Sequence, residues 1–254
     1  MIVTFLGTGT SQGVPVIGCE CPVCRSIDFQ DKRLRSSIHI EVDDLSLVVD
    51  TGPDFRQQVL RERVKRLDAV LFTHAHKDHT AGMDDIRSFN FLQRKDMPIY
   101  GEIDVLEQLK SEFAYIFMAK KYPGIPQVAL NTITTAPFSI QDQEIIPIRV
   151  MHHKLPVLGF RVGDFTYITD ANYISEEEKA KVKGSRVVVL NALQKTEHIS
   201  HFTLDQALEL MQELNPEKGY LTHISHRLGL HRDVSNELPD NVELAWDGLQ
   251  VVID

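Results

Sequence analysis

The chain has 254 residues and a formal net charge of −9, from 27 Lys and Arg against 36 Asp and Glu, with 43% hydrophobic residues, 11 His and 3 Cys. This excludes a disulfide-stapled miniprotein, a disordered chain and a coiled coil, and it supplies enough apolar residues for a substantial core in a single domain. No run approaches the roughly 18 apolar residues of a spanning helix, and the N-terminal Met-Ile-Val-Thr-Phe-Leu-Gly lacks the segments of a signal peptide, so a soluble cytoplasmic protein without membrane contact is expected.

The first six residues read as a strand entering a Gly-rich turn, Gly7 to Gly13, followed by a cysteine loop. Strands are predicted at Ser37 to Val42 and Leu45 to Asp50, joined by a hairpin turn at Asp43-Asp44. A helix from Pro53 to about Val64 precedes a buried strand, Asp68 to Thr73. An amphipathic helix is expected from Ile103 to Ala119, then a breaker-rich loop, Tyr122 to Pro126. Phe113, Tyr115, Phe117 and Tyr122 form an aromatic stripe that reads as core packing before it reads as a lid. Strands follow at Glu144 to Met151, Leu158 to Val162, Phe165 to Thr169, Arg186 to Leu190 and Gly219 to Thr222. Capping boxes at Ser175 with Glu178 and at Thr203 with Gln206 start two more helices. Sheets covered by helices on their outer faces fit this α/β order.

The strongest chemical signal is His74-Ala75-His76-Lys77-Asp78-His79, directly after a buried strand. Imidazole and carboxylate are donors that zinc, manganese and iron all accept. Two His at i and i+2 leaving a strand can serve one ion, and Asp78 with His79, a turn further on, a second.

This run resembles the His-x-His-x-Asp-His signature of the metallo-β-lactamase superfamily, and the resemblance extends over nearly the whole chain. It implies a four-layer αββα sandwich and two divalent ions held by His74, His76, Asp78, His79, one later His, a bridging Asp and a final His. His152 is read as the third ligand because it shares parity with the apolar Ile146, Ile148 and Val150, whereas His153 has the opposite parity. Asp170, in Ile-Thr-Asp-Ala, stands where the family has its bridging carboxylate, and His223 where it has its last ligand. His201 matches the family's acid position, with His198 and His231 as weaker candidates; Asp50 matches a carboxylate that orients a ligand.

Cys19, Cys21 and Cys24 offer three soft thiolates in a loop spanning about residues 14 to 27, better suited to a closed structural zinc site than to catalysis. The C-x-C-x-x-C spacing is similar to that of the PhnP-like cyclic phosphodiesterases, in which a His three residues after the last catalytic His completes the site; here that position is His226.

The resemblance implies a phosphodiesterase of small or cyclic phosphate esters, working through a metal-bridging hydroxide, with Asp78 and His201 in the catalytic set. The neighbouring ribonuclease Z branch is disfavoured: the sequence has no long basic or Gly-rich insertion to grip tRNA, and its acidic balance disfavours long nucleic acids as partners. A thioesterase of the glyoxalase II type and a non-catalytic metal-binding protein stay open, as does a homodimer. The Gly7 to Gly13 turn lacks a phosphate-loop pattern and reads as a tight turn beside the metals.

Overall fold

Two mixed sheets lie face to face in the computed structural model, which describes residues 1–118 and 122–254. The first sheet has the spatial order Gln250–Val252, Ile2–Gly7, Ser37–Val42, Leu45–Val49, Ala69–Leu71, Met97–Gly101, Val128–Thr132. The second has the order Tyr173–Ile174, Gln143–His152, Leu155–Val162, Phe165–Tyr167, Val187–Asn191, Lys218–Thr222, Val242–Leu244, with Phe138–Ile140 also paired to Gln143–His152. No helix among the described residues is long and apolar enough to cross a membrane.

Strand alternation decides the layers. Val3, Phe5, Ile38, Ile40, Leu47, Val49 and Leu71 share one buried cluster with Leu158, Phe160, Phe165, Tyr167 and Val189 of the other sheet. Residues of opposite parity in the first sheet, Leu6, Val48 and Val70, pack with Phe55, Phe89, Leu106 and Leu109 from the outer helices. Val188, Leu190 and Leu221 do the same beneath Val182, Leu204, Ala207 and Met211. Helix, sheet, sheet and helix form the αββα sandwich that the sequence implied.

The helix expected from Ile103 to Ala119 ends at Glu112 and resumes as Ala114–Phe117, with Phe113 between them at φ −110° and ψ 40°; Ala119 lies outside the described residues. The break follows the packing: Phe113, Tyr115 and Phe117 turn onto the helix-side core, and the Tyr115 hydroxyl donates to Asp84. These three aromatics pack as expected, and Tyr122 is exposed. Of the two capping boxes, that at Thr203 and Gln206 is complete. At Ser175 only half forms, because the Glu178 carboxylate instead accepts from the Arg149 backbone N–H at 2.8 Å and from Lys181 at 2.8 Å. The strand predicted from Leu158 begins at Leu155 and pairs with Gln143–His152 through a turn at His153, where φ is 57°.

A buried polar knot ties both ends of the chain to the Gly-rich turn. Asp247 accepts from the Thr8 backbone N–H at 3.0 Å, the Thr8 hydroxyl at 2.7 Å and the Leu34 N–H at 2.7 Å. The buried Arg33 donates to the same Thr8 hydroxyl at 2.8 Å and meets His231 Nδ1 at 3.0 Å. Asp247→Ala orphans several buried donors at once, each worth about 1 to 3 kcal/mol. Urea unfolding should show a loss of about 3 kcal/mol.

Candidate metal centre

The functional side chains leave the carboxyl ends of strands in both sheets. Asp50 follows Leu45–Val49, His74 follows Ala69–Leu71, His152 ends Gln143–His152, Asp170 follows Phe165–Tyr167 and His223 follows Lys218–Thr222. Asp50, Asp170 and His223 take left-handed backbone, with φ of 64°, 54° and 54°. Such a conformation costs a non-glycine residue about 1 to 2 kcal/mol, so the surrounding packing holds it in place.

Asn191 is one such clamp: its amide both accepts from the Ala171 N–H at 2.7 Å and donates to the Ala171 carbonyl at 2.9 Å, fixing the backbone just past Asp170. Gly52 and Gly82 are another. A Cβ on Gly52 would sit 2.1 Å from the Asp78 carbonyl oxygen, and one on Gly82 2.1 Å from the Gly52 oxygen, so only glycine lets the histidine-run helix settle on the Asp50 turn. The Thr51 N–H donating to the His79 carbonyl at 2.8 Å closes that contact.

The side chains converge in overlapping groups: Asp78, His79, Asp170 and His223; His74, His76 and Asp170; His152, Asp170 and His201. Asp170 belongs to all three. Its Oδ1 lies 2.9 Å from His223 Nε2, and its Oδ2 lies 3.4 Å from His79 Nε2 and 3.6 Å from His74 Nε2. Asp78 Oδ2 is 3.2 Å from His79 Nε2 and 3.7 Å from His223 Nε2.

Three of the rings, those of His79, His74 and His152, are held by the far nitrogen. Asp50 Oδ2 meets His79 Nδ1 at 2.7 Å while also accepting from the Thr73 hydroxyl at 2.8 Å. His74 Nδ1 meets the Thr73 hydroxyl at 2.9 Å, and His152 Nδ1 donates to the Ser200 carbonyl at 2.9 Å. This turns their Nε2 atoms inward, the usual arrangement for a metal-binding imidazole, with His74 Nε2 2.9 Å from His76 Nδ1. His79 Nε2 and His223 Nε2 are buried with no hydrogen bond. Orphaned buried nitrogens among carboxylates are what a divalent cation would satisfy, so the donor set fits metal binding. Burial alone would raise the Asp170 carboxyl, but the His223 and His79 imidazoles hold it well below the usual carboxylate range.

His152, rather than His153, turns into the cluster, with its ring 5.2 Å from His76 and 5.8 Å from His74. His153 is exposed, and its backbone N–H donates to Asn172. Contrary to the inward face expected for this strand, Ile148 and Val150 face the helix-side core, not the space between the sheets, and His152 is oriented into the cluster by the Ser200 carbonyl. His201 is buried, its ring 4.6 Å from His152 and 4.8 Å from His223, and its Nδ1 has no partner. Burial, and then the His223 imidazole, push it down to about 3. His198 is exposed, 5.1 Å from His201 between ring centres. His231 packs away from the cluster against Arg33 and Trp246.

The cysteine loop forms a second group. Cys19, Cys21 and Cys24 place their sulfurs 3.3, 3.4 and 3.5 Å from His226 Nδ1. A tetrahedral zinc with Zn–S of about 2.3 Å and Zn–N of about 2.0 Å separates sulfur from nitrogen by roughly 3.5 Å, so this group also fits its metal. The Cys24 N–H directed at Cys21 lowers that thiol to about 6, whereas burial pushes Cys24 up to about 11.

Sandwich and donor set together are those of the metallo-β-lactamase hydrolase fold, with residues arranged to bind divalent metal. The sequence pattern described as "Beta-lactamase superfamily domain" matches residues 46–224, and the chain belongs to the metallo-β-lactamase superfamily. A crystal structure of a diphosphatase from the PhnP family superposes with a TM-score of 0.93 at 36% identity, covering 100% of this chain and 98% of that one. An octanoyltransferase of Porphyromonas gingivalis is 38% identical over 253 residues, covering 98% of this chain but 51% of that protein, so the chain spans about half of that relative. A ribonuclease Z of Listeria monocytogenes is 23% identical over 319 aligned positions, covering 100% of this chain and 97% of that protein.

Proposed function

We propose that the protein is a dinuclear metal-dependent phosphodiesterase acting on a small or cyclic phosphate ester, with two divalent ions, zinc, manganese or iron, at His74, His76, Asp78, His79, His152, Asp170 and His223. The observation that carries this is the position of Asp170 in every inner donor group. With five neutral imidazoles and two carboxylates, a pair of divalent ions gives the site a formal charge of about +2, which draws in an anionic phosphate. When bound, the metals act as Lewis acids on phosphorus oxygens and lower the pKa of the attacking water.

The chain's own residues supply orientation. Asp50 and the Ser200 carbonyl fix the ring planes of His79 and His152. His201 stands at the edge of the cluster and directs a ring N–H toward the departing oxygen. The PhnP-family diphosphatase supports phosphorus chemistry. The octanoyltransferase relative is the reason to keep an acyl thioester as the second reading.

The test is a substrate panel with metal-loaded protein: bis-nitrophenyl phosphate, a 2′,3′-cyclic nucleotide, a ribose cyclic phosphate, a pre-tRNA and a thioester. Turnover of small diesters is expected. Activity on the thioester alone overturns the reading, and silence on every substrate favours a non-catalytic metal protein. His201→Ala should lower kcat on the best diester by about 10²-fold with metal content unchanged. An unaltered kcat removes His201 from the reaction.

A further inference from the structure

Hydroxyl groups lie between the sheets directly beneath the metal centre. Thr73 and Thr169 are buried and immediately precede His74 and Asp170, and each donates to a carboxylate: Thr73 to Asp50 Oδ2 at 2.8 Å, Thr169 to Asp170 Oδ1 at 2.8 Å. The two differ in what they receive. Thr73 Oγ1 is also met by His74 Nδ1 at 2.9 Å, so it takes one hydrogen bond and gives another. Thr169 Oγ1 gives one and, among the described residues, takes none.

An unused donor stands beside it. Tyr167 ends the strand Phe165–Tyr167, and the backbone alternation continues past it: Ile168 turns to the helix-side core, which leaves Tyr167 and Thr169 on the face between the sheets. The Tyr167 ring is fully buried with Val49, Leu71 and Val189, and its hydroxyl makes no hydrogen bond among the described residues. A buried hydroxyl without a partner is costly, and native cores rarely keep one. Burial pushes the phenol well up and the Asp50 and Asp170 carboxylates add to this, against the His79 imidazole and the Thr169 hydroxyl, so the group keeps its proton and is available as a donor.

We infer that Tyr167 is a positioning residue of the metal centre: its hydroxyl donates to Thr169 Oγ1, Thr169 passes the bond on to Asp170 Oδ1, and the chain fixes the rotation of that carboxylate. This rests on the metal-binding reading above and deepens it. With Oδ1 held, the carboxylate presents that oxygen to His223, 2.9 Å away, and Oδ2 to His79 and His74 at 3.4 and 3.6 Å. Hydrogen bonds in a chain polarise one another, so the Tyr167 end strengthens the Asp170 end. In the second sheet it is the counterpart of the run from His74 through Thr73 to Asp50 in the first. Tyr220 supplies the contrast. Strand register places it beyond Val189 from Tyr167, facing the same space, but its phenol is pushed up by burial and by Glu243, with no contribution from the cluster.

The experiment measures cobalt(II) binding to metal-free wild type, Tyr167→Phe, Thr169→Val, the double variant and Tyr220→Phe, by competition with a chelator and by the visible absorption of the bound ion. Phe keeps the ring and Val the branched shape, so each change removes little besides a hydroxyl. Cobalt in the cysteine loop carries sulfur charge-transfer absorption and is told apart by it. Tyr167→Phe should weaken inner-site binding by about 10-fold and shift the visible bands, and Thr169→Val should weaken it by about 30-fold, as for other groups that orient a ligand. Adding Tyr167→Phe to Thr169→Val should cost less than about two-fold more, because the chain is already broken. Thr169→Ser, which keeps the hydroxyl, should bind as the wild type does and should retain the full Tyr167→Phe effect, so it replaces Thr169→Val if that variant fails to fold. Tyr220→Phe should leave affinity and spectrum unchanged. Additive losses in the double variant, wild-type affinity in Tyr167→Phe, or an equal loss in Tyr220→Phe would overturn the proposal. A wild type that takes cobalt in the cysteine loop alone would overturn the metal-centre reading, and the proposal with it.

Discussion

Asp170→Ala is expected to empty the inner metal centre and abolish turnover in a protein that still folds. Three donor groups meet at this one carboxylate, and its two oxygens face His223 on one side and His79 and His74 on the other. Truncation removes the carboxylate that the proposed pair of ions would share and leaves three buried imidazoles facing a void. Loss of one partner from a buried charged set costs about 3 to 5 kcal/mol, or roughly 10² to 10⁴ in binding. With turnover proposed to run through two ions, kcat/KM on the best diester should fall by about 10³-fold or more. Elemental analysis of the purified variant should show depletion of the inner-site metal with the cysteine-bound ion retained. Circular dichroism should be unchanged, since the clamp at Asn191 holds the Ala171 backbone and does not involve the Asp170 side chain. Asp170→Asn preserves shape and one oxygen donor but removes the charge, so it should fall between Ala and wild type in metal content. Full metal occupancy in Asp170→Ala would rule out its bridging role.

How far the sequence foretold this arrangement depends on how local the signal is. His74, His76, Asp78 and His79 are legible because they crowd six positions after a strand. The paired strands on either side of Asp43-Asp44 are legible because alternation and turn chemistry agree there. Short strands such as Met97–Gly101 and Val128–Thr132, which contain Pro98 and Asn131, have too weak a pattern to be read and form because a neighbouring strand supplies the partner. Asn191 shows the same limit. A buried Asn after four apolar residues carries no local sign that its amide will clamp Ala171, twenty positions away. Gly52 and Gly82 likewise matter only once the helix at Asp78 settles on the Asp50 turn. The Ser11-Gln12 turn likewise comes to lie beside Gln194, His198 and Arg227 from the far part of the chain, and no spacing rule connects them.

If Cys19, Cys21, Cys24 and His226 hold a zinc ion, as their spacing fits, its loss is expected to have the second large effect, on stability first and on catalysis through it. Cys19, Cys21 and Cys24 reach His226 across separations of 207, 205 and 202 residues. A cross-link closing a loop of that length stabilises the folded chain by about 5 kcal/mol in the chain-entropy model. Cys21→Ser should therefore release zinc and lower Tm by roughly 10 °C or more in a domain of this size. His226 lies three residues beyond His223, but that segment also holds the Ile224 N–H to Thr8 carbonyl bond at 2.9 Å and the Ser225 bond to Leu193. These bonds keep His223 near its place, so the catalytic penalty at 20 °C should be about 10- to 100-fold, the size seen when the support of a ligand is weakened. Titration with a thiol-reactive dye should find three accessible cysteines in the chelator-treated wild type and none before chelation. If Cys21→Ser kept its zinc and its Tm, the cluster would not be the clip that its sulfur-to-nitrogen distances describe. If stability fell while kcat/KM stayed unchanged, the backbone bonds at Ile224 and Ser225 alone would be holding His223.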